Sequence, residues 1–297
     1  MSFSSDVKTE ICRDFPARRC CCLAMSFGVL LFANACSRDL IRITTESQAF
    51  AGMLPKIFKR AFGVTFDVAP EDAGSKQTFV ITQPDKIGAI LEACGFDRDT
   101  VNLHVNLGVL EEDCDRLNFL RGAFLAGGSV TDPAKAYHME LTTSHQAEAR
   151  ETYALIGEVM GFDPKLTARQ GNAVLYIKQS ESIADVLTML GAPVCAMGLL
   201  EAKLEKELKN KVNRRCNCDD ANTSKVVDAA QAQIAAIRVL EGRGQLSQLP
   251  AKLRQAAQAR LDNPESNLTE LAGLMEPPIT KPAMSHRLKR LVELAGE

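Results

Sequence analysis

The side chains able to do chemistry lie in a few places along this 297-residue chain. Cys20, Cys21 and Cys22 stand side by side, and Cys216 and Cys218 form a C-x-C. Neighbouring residues on a helix point in different directions. A C-x-C with no second pair lacks the spacing of a zinc site. The cysteines are therefore expected to be reduced core or surface thiols, with no metal and no cofactor. His138 and His145 are isolated, and Glu111, Glu112, Asp113 and Asp115 read as a solvated acidic linker. No G-x-G-x-x-G, P-loop or nucleophile-elbow spacing is present. The remaining cluster is basic: Lys281 to Arg290 holds four cations and no acid, a charge pattern suited to a phosphate backbone.

Composition sets the frame for these residues. The chain is 46% hydrophobic and 24% charged, with no tryptophan and 5% aromatics. That is globular, with a mainly aliphatic core, and the length suggests two or three domains. The longest apolar stretch, Cys20 to Cys36, is shorter than the ~20 residues of a membrane span. Asp6, Glu10 and Asp14 stand where a secretory signal would be basic. A cytoplasmic protein is expected. The net charge of −2 is uneven: residues 1–198 carry 19 Lys and Arg against 24 Asp and Glu, and residues 199–297 carry 16 against 13. DNA is therefore expected at the C-terminal part.

Positioning elements follow from an internal repeat. Thr44-Thr45, Gln48-Ala49 and Gly63 fall on Thr142-Thr143, Gln146-Ala147 and Gly161 at an offset of 98. Val80 to Gly95 matches Tyr176 to Gly191 at 96, and Phe27 to Ser37 matches Arg121 to Thr131 at 94. Each unit reads as a small-residue-rich apolar helix and a strand (Leu40 to Thr44; Tyr137 to Thr142). An amphipathic helix ending at Gly63 or Gly161 follows. Two short strands come next (Val64 to Val68 and Phe79 to Thr82; Lys165 to Ala168 and Val174 to Lys178), then a closing helix. Gly28, Ala33, Gly122 and Gly127 lie on the two small-residue helices and are expected to form the seam between the units.

The segment "LRGAFLAGGS" (Leu120 to Ser129) resembles the LAGLIDADG helix of homing endonucleases. In that family two such helices pack side by side, and each ends in an acid that helps bind the catalytic metal. The matching positions here are Ala33 and Gly127, neither of which offers an oxygen ligand. A duplicated unit of this kind is joined here to "NRRCNCDDANTSKVVDAAQAQI", "LPAKLRQAAQARLDNPESNLTELAGLM" and "SHRLKRL". This order resembles the WhiA family of bacterial sporulation and cell-division transcription regulators across nearly the whole chain.

The resemblance implies an α+β fold, with a duplicated LAGLIDADG homing-endonuclease-like domain followed by an all-α helix-turn-helix domain. Expected boundaries are an N-terminal helix at 1–22, the duplicated domain at 23–198 (repeats 23–97 and 117–193), a helical linker at 199–245 and the DNA-binding domain at 246–297. It implies a sequence-specific, non-enzymatic regulator of cell division, chromosome segregation or sporulation. Promoter DNA would be its partner, with no membrane. Where the source is an actinobacterium, it also implies a WhiB-type regulator bound through the N-terminal domain. The alternatives are a metal-dependent endonuclease and a protein- or ligand-binding scaffold with incidental DNA binding.

The C-terminal residues support the module on their own. Asn213 to Asp220 is polar and is expected to break a helix at Lys211. A new helix from Asp219 or Asp220 to about Leu240 would bury Val226, Val227, Ala230, Ile234 and Ile237. "EGRGQ" reads as a hinge, Pro250 to Leu261 as a helix, and Asn267 with Glu270 as a capping box. The last helix, about Pro282 to Ala295, places Met284, Leu288, Leu291 and Ala295 on one face. On the other face Ser285, His286 and Lys289 are expected to reach base edges, while Lys281, Arg287 and Arg290 hold phosphates.

Overall fold

Two largely buried helices occupy the middle of the first unit, and the first is apolar almost all round, as only a buried helix can be. In the computed structural model, which describes residues 2–70, 76–98, 100 and 103–296, the chain forms two compact units, Met1–Lys206 and Glu207–Glu297. The first unit opens with α1 (Phe3–Ile11) and the buried α2 (Arg19–Leu31). Then follow β1 (Ala35–Cys36), β2 (Ile41–Thr45), α3 (Gln48–Phe62), β3 (Gln77–Ile81) and α4 (Pro84–Ala93). The pattern recurs as the buried α5 (Asp113–Gly127), β4 (Gly128–Val130), β5 (Met139–Thr143) and α6 (Gln146–Met160). It closes with β6 (Lys165–Arg169), β7 (Asn172–Ile177) and α7 (Ser180–Leu190).

Each repeat builds one antiparallel sheet, ordered β1-β2-β3 in the first and β4-β5-β7-β6 in the second. The strands alternate as a half-buried sheet requires. Ile41, Ile43 and Thr45 face inward on β2, as do Met139, Leu141 and Thr143 on β5. Exposed β6 carries Lys165 and Arg169 along the sheet edge, where charge discourages pairing with another chain. The helices that cross each sheet, α3 and α6, end at Gly63 and Gly161, both left-handed with φ 73°, a conformation that favours glycine.

The repeats differ at one predicted strand. Val64 to Val68 forms only a single bridge, Val68 to Val80. The Asp67 carboxylate instead accepts from the backbone amides of Thr82 (2.7 Å) and Gln83 (2.9 Å), and Lys86 lies 2.5 Å away. Lys86 and these amides hold the Asp67 carboxyl at about 2. Pro70, just beyond, has no N–H to give a ladder.

α2 and α5 pack against each other along their middles. A Cβ on Gly28 would stand 2.0 Å from the Phe119 carbonyl oxygen, and one on Gly122 would stand 1.9 Å from that of Met25. The two contacts are related by the same offset of 94 residues, each glycine of one helix receiving the backbone of the other. Phe27 and Phe119 pack edge-on beside them, with ring centroids 5.5 Å apart. α1 is tied in from the side. Its buried Glu10 accepts from the amides of Val194 (2.8 Å) and Cys195 (2.9 Å), capping the next helix, α8 (Pro193–Gly242). Burial opposes the Glu10 charge, but the Cys195 thiol and the two amides outweigh it and hold the carboxyl below its ordinary range.

α8 runs unbroken through Asn213 to Asp220, where a break was expected. Polarity alone does not stop a helix, and residues 199–241 contain neither Gly nor Pro. Val226 and Val227 are correspondingly exposed, at 50% and 47%, whereas Ala230, Ala236, Ile237 and Leu240 are buried. Glu241 to Gln245 ends the helix with Gly244 left-handed (φ 69°) and the Gln245 amide donating back to Leu240. That makes it a C-terminal cap.

The second unit adds α9 (Ala251–Asp262), α10 (Leu268–Gly273) and α11 (Lys281–Gly296). Ile237 and Leu240 join Ala256, Ala257, Leu271, Met275, Met284, Leu288 and Leu291 in one small core.

The seam predicts opposite results for two Gly→Ala changes. Gly28→Ala should lower the unfolding free energy of the first unit by about 3 kcal/mol or more, through overpacking against a backbone atom. Gly52→Ala, within α3 with nothing in 4 Å of its Cβ, should be neutral or raise it by about 0.5–1 kcal/mol. Chemical denaturation of the full chain, following the transition of that unit, measures both.

Candidate nucleic-acid interface

α11 is presented by a local scaffold. Asn267 caps α10: its side chain accepts from the Thr269 (2.9 Å) and Glu270 (3.1 Å) amides, while the Glu270 carboxylate accepts from the Asn267 amide at 2.9 Å. This reciprocal box fixes where α10 starts. The segment after α10 is pinned by the Ile279 amide donating to Ala272 O (3.0 Å). Thr280 then opens α11, its Oγ1 accepting from the Ala283 amide (3.4 Å) and its carbonyl from the Met284 amide (3.1 Å).

Arg260 stitches the scaffold beneath. It is 2% exposed, and its guanidinium donates to Gln233 Oε1 (3.0 Å) and Ser266 O (2.7 Å), joining α8, α9 and the turn before α10. Burial lowers its pKa. Its composition-level signal, one Arg among many, did not distinguish it from a surface cation.

Met284, Leu288 and Leu291 are fully buried, so one stripe holds α11 down. Lys281, Ser285 and Lys289 recur every four residues and are exposed, with His286 and Arg290 beside them and Arg287 half-buried. Arg290 pairs with Glu293 at 3.2 Å. The groove beside the first turn of α11 is lined by Lys225, Gln233, Arg260, Asn267, Thr269 and Lys281. Lys225 escaped the sequence reading because it was assigned to a separate linker helix.

The other candidate centre is the C-terminal tip of the seam. Ala33 follows the end of α2, and Gly127 is the last residue of α5. A Cβ on Gly127 would lie 2.5 Å from Thr142 O, so its smallness is enforced by the strand beside it. Among the described residues, no group of three His, Cys, Asp or Glu side chains converges at this tip. A cation lies there instead: half-buried Lys8 donates from Nζ to Leu125 O at 3.0 Å. Burial pulls its pKa down to about 8, with Cys12 and Glu46 acting the other way. A lysine at a helix C-terminus complements the dipole and occupies a carbonyl that would otherwise lack a partner. His138 and His145 are each engaged by one glutamate, Glu140 at 3.2 Å and Glu148 at 3.8 Å.

Comparison with known proteins agrees with this architecture. The family model described as the WhiA LAGLIDADG-like domain matches residues 116–209, and the WhiA C-terminal HTH domain matches residues 212–295. A protein named "Probable cell division protein WhiA" from Clostridium botulinum is 32% identical over all of this chain and 98% of its own length. One of the same name from Clostridium novyi is 33% identical with the same coverage. A crystal structure of full-length DUF199/WhiA from Thermatoga maritima superposes with a TM-score of 0.60 at 21% identity, covering all of this chain and 98% of that one. At that identity the likeness is one of fold. No helix among the described residues is long and apolar enough to cross a membrane.

The two faces of α11 should respond oppositely to truncation. Leu288→Ala should destabilise the second unit by about 3 kcal/mol, the usual loss for a buried leucine. Ser285→Ala or Lys289→Ala should change it by less than about 0.5 kcal/mol. Denaturant titration followed by far-ultraviolet circular dichroism reads the difference.

Proposed function

The chain belongs to the WhiA family, and from that premise we propose that it is a sequence-specific DNA-binding transcription regulator of cell division, chromosome segregation or sporulation, without nuclease activity. The observation that carries the reading is α11, a helix fixed by a buried apolar stripe with an exposed cationic face. A helix held this way can lie in the major groove with its first turns against the bases. Ser285, His286 and Lys289 would read base edges, and Lys281, Arg287 and Arg290 would hold phosphates. Lys225, lining the groove beside Lys281, would add a phosphate contact.

A metal-dependent cut needs oxygen ligands at the seam tip, where this chain has Ala33, Gly127 and the Lys8 amine. The Lys8 ammonium would repel a divalent cation there. The duplicated domain then serves as a platform. Its acidic balance favours a protein partner over a second DNA grip, and in an actinobacterium the WhiA family would supply a WhiB-type regulator. A single module with so few contacts would bind with modest affinity and strong salt dependence. Promoter selection therefore draws on a partner or a second copy. The protein would act at the nucleoid in the cytoplasm.

Truncation before α11 is a poor test, because Met284, Leu288 and Leu291 belong to the core of the unit. The exposed Lys281→Ala/Lys289→Ala double variant isolates the surface. The intact chain should enrich promoter fragments from sheared genomic DNA in Mg²⁺ buffer and leave their ends uncut. The double variant should lose that enrichment, and its slope of log affinity against log salt should fall by about 0.9 for each phosphate contact removed. Equal enrichment by both proteins would make the duplicated domain the reader. Cut ends would overturn the non-nuclease assignment.

A further inference from the structure

The opposite end of the seam carries a cluster that the sequence reading set aside. Cys20 and Cys21 open α2, and Cys114 and Asp115 open α5. One ligating atom from each of the four lies within 4.8 Å of all the others. The Cys20 and Cys21 sulfurs are 3.9 Å apart, although neighbouring helical positions were expected to diverge, and Cys114 Sγ lies 3.6 Å from Asp115 Oδ1. The residue offset of 94 that relates Gly28 to Gly122 also relates Cys20 to Cys114 and Cys21 to Asp115. The cluster therefore repeats across the same pseudo-two-fold relation as the seam.

Asp115 is 4% exposed and is no part of a solvated linker. Among the described residues, the side-chain donors that reach its carboxylate are the thiols of Cys114 and Cys20. Thiols are weak donors. A buried carboxylate served only by weak donors is costly unless a cation neutralises it.

We propose that Cys20, Cys21, Cys114 and Asp115 hold one thiophilic divalent cation of the zinc class, which ties the N-terminal ends of α2 and α5 together. Three sulfurs and one carboxylate oxygen select zinc over magnesium. Around a tetrahedral zinc with Zn–S near 2.3 Å, ligand sulfurs sit roughly 3.8 Å apart, close to the spacing already present. Four protein ligands close the coordination sphere, so the site is structural.

On binding, each ligating thiol gives its proton to solvent and its sulfur lone pair to the metal. Three thiolates and a carboxylate leave the centre with a net negative charge, which the positive ends of two helix dipoles favour. Without the metal, burial, with Cys114 and Cys20 close by, pushes the Cys21 thiol up to about 12. Exposed Cys20 gives an entry path from solvent. The site is separate from the endonuclease-type tip, which lies 13 residues, about 20 Å, further along each helix.

The test uses the full-length chain, reduced and stripped with chelator, then titrated with Co²⁺ and back-titrated with Zn²⁺. One equivalent of Co²⁺ should give tetrahedral d–d bands and a sulfur-to-cobalt charge-transfer band, both removed by Zn²⁺. Zinc at a hundredfold excess over its Kd should raise the Tm of the first unit by about 5–10 °C. Cys114→Ser should abolish the charge-transfer band or weaken binding at least tenfold. Cys20→Ser, at an exposed position, should weaken binding while leaving the metal-free Tm unchanged, which separates ligand loss from misfolding. Cys216→Ser/Cys218→Ser should leave the spectrum intact. The proposal fails if cobalt gives an octahedral spectrum without the charge-transfer band. It also fails if the signal follows Cys216 and Cys218, or if these cysteines are isolated as a disulfide that excludes metal.

Discussion

The first unit depends on one close contact: two helix backbones touching at Gly28 and Gly122. Each glycine receives a carbonyl of the facing helix where any Cβ would overlap it. An approach this close leaves no room for side chains between the helices at the crossing. Their apolar residues must therefore face outward, toward the sheets. Phe27 and Phe119 flank the contact, and the inward residues of β2 and β5 pack around the same core. Since both repeats meet here, each buries what the other would leave exposed. Neither repeat is a self-contained fold, because α2 and α5 are buried on nearly all sides only when paired.

The second unit works by a different rule. Its core is small and made of short apolar stripes from four helices, so local devices must fix their ends. The capping box at Asn267, the left-handed Gly244 and the buried Arg260 guanidinium do this. Each device satisfies backbone groups that helix ends leave without partners. With its scaffold held by such contacts, α11 needs none of its polar face for stability. That face is then free to carry charge. The same division explains why the apolar and cationic residues of α11 are both indispensable to the reading, yet answer to different measurements.

Much of this was legible in the sequence, for identifiable reasons. The repeat, the glycine ends at Gly63 and Gly161, and the capping box are local or periodic signals, and local chemistry decided them. The four-residue recurrence in α11 placed its two faces correctly for the same reason. What escaped were features set by distant partners. The missing strand at Val64 to Val68 turns on Asp67 serving the start of α4 instead of a ladder. The false break at Asn213 to Asp220 came from taking polarity as a stop signal where neither Gly nor Pro is present. Asp115 looked solvated because its neighbours Glu111, Glu112 and Asp113 are exposed, while the helix register turns it alone inward. Extending the 94-residue offset upstream by seven positions would have paired Cys20 with Cys114. The signal was present, but it needed the three-dimensional seam to give it meaning.

The two ends of the helix pair have opposite electrostatics, and the residues at the C-terminal tip answer to the negative end of the helix dipole. Helix C-termini are negative, so an acid there is tolerated only if a metal offsets both it and the dipole. In this chain Lys8 reaches in from α1 and supplies the compensating charge itself, bonded to Leu125 O. A carboxylate at position 127 would meet Thr142 O before it met any metal, since even a Cβ there comes within 2.5 Å. If the strand yielded, the new acid would meet the half-buried lysine first and pair with it. Small residues at Ala33 and Gly127 and the Lys8 ammonium beside them thus suit one another electrostatically. The seam is what the fold requires, and at its C-terminal tip Lys8 supplies the positive charge that complements the helix end.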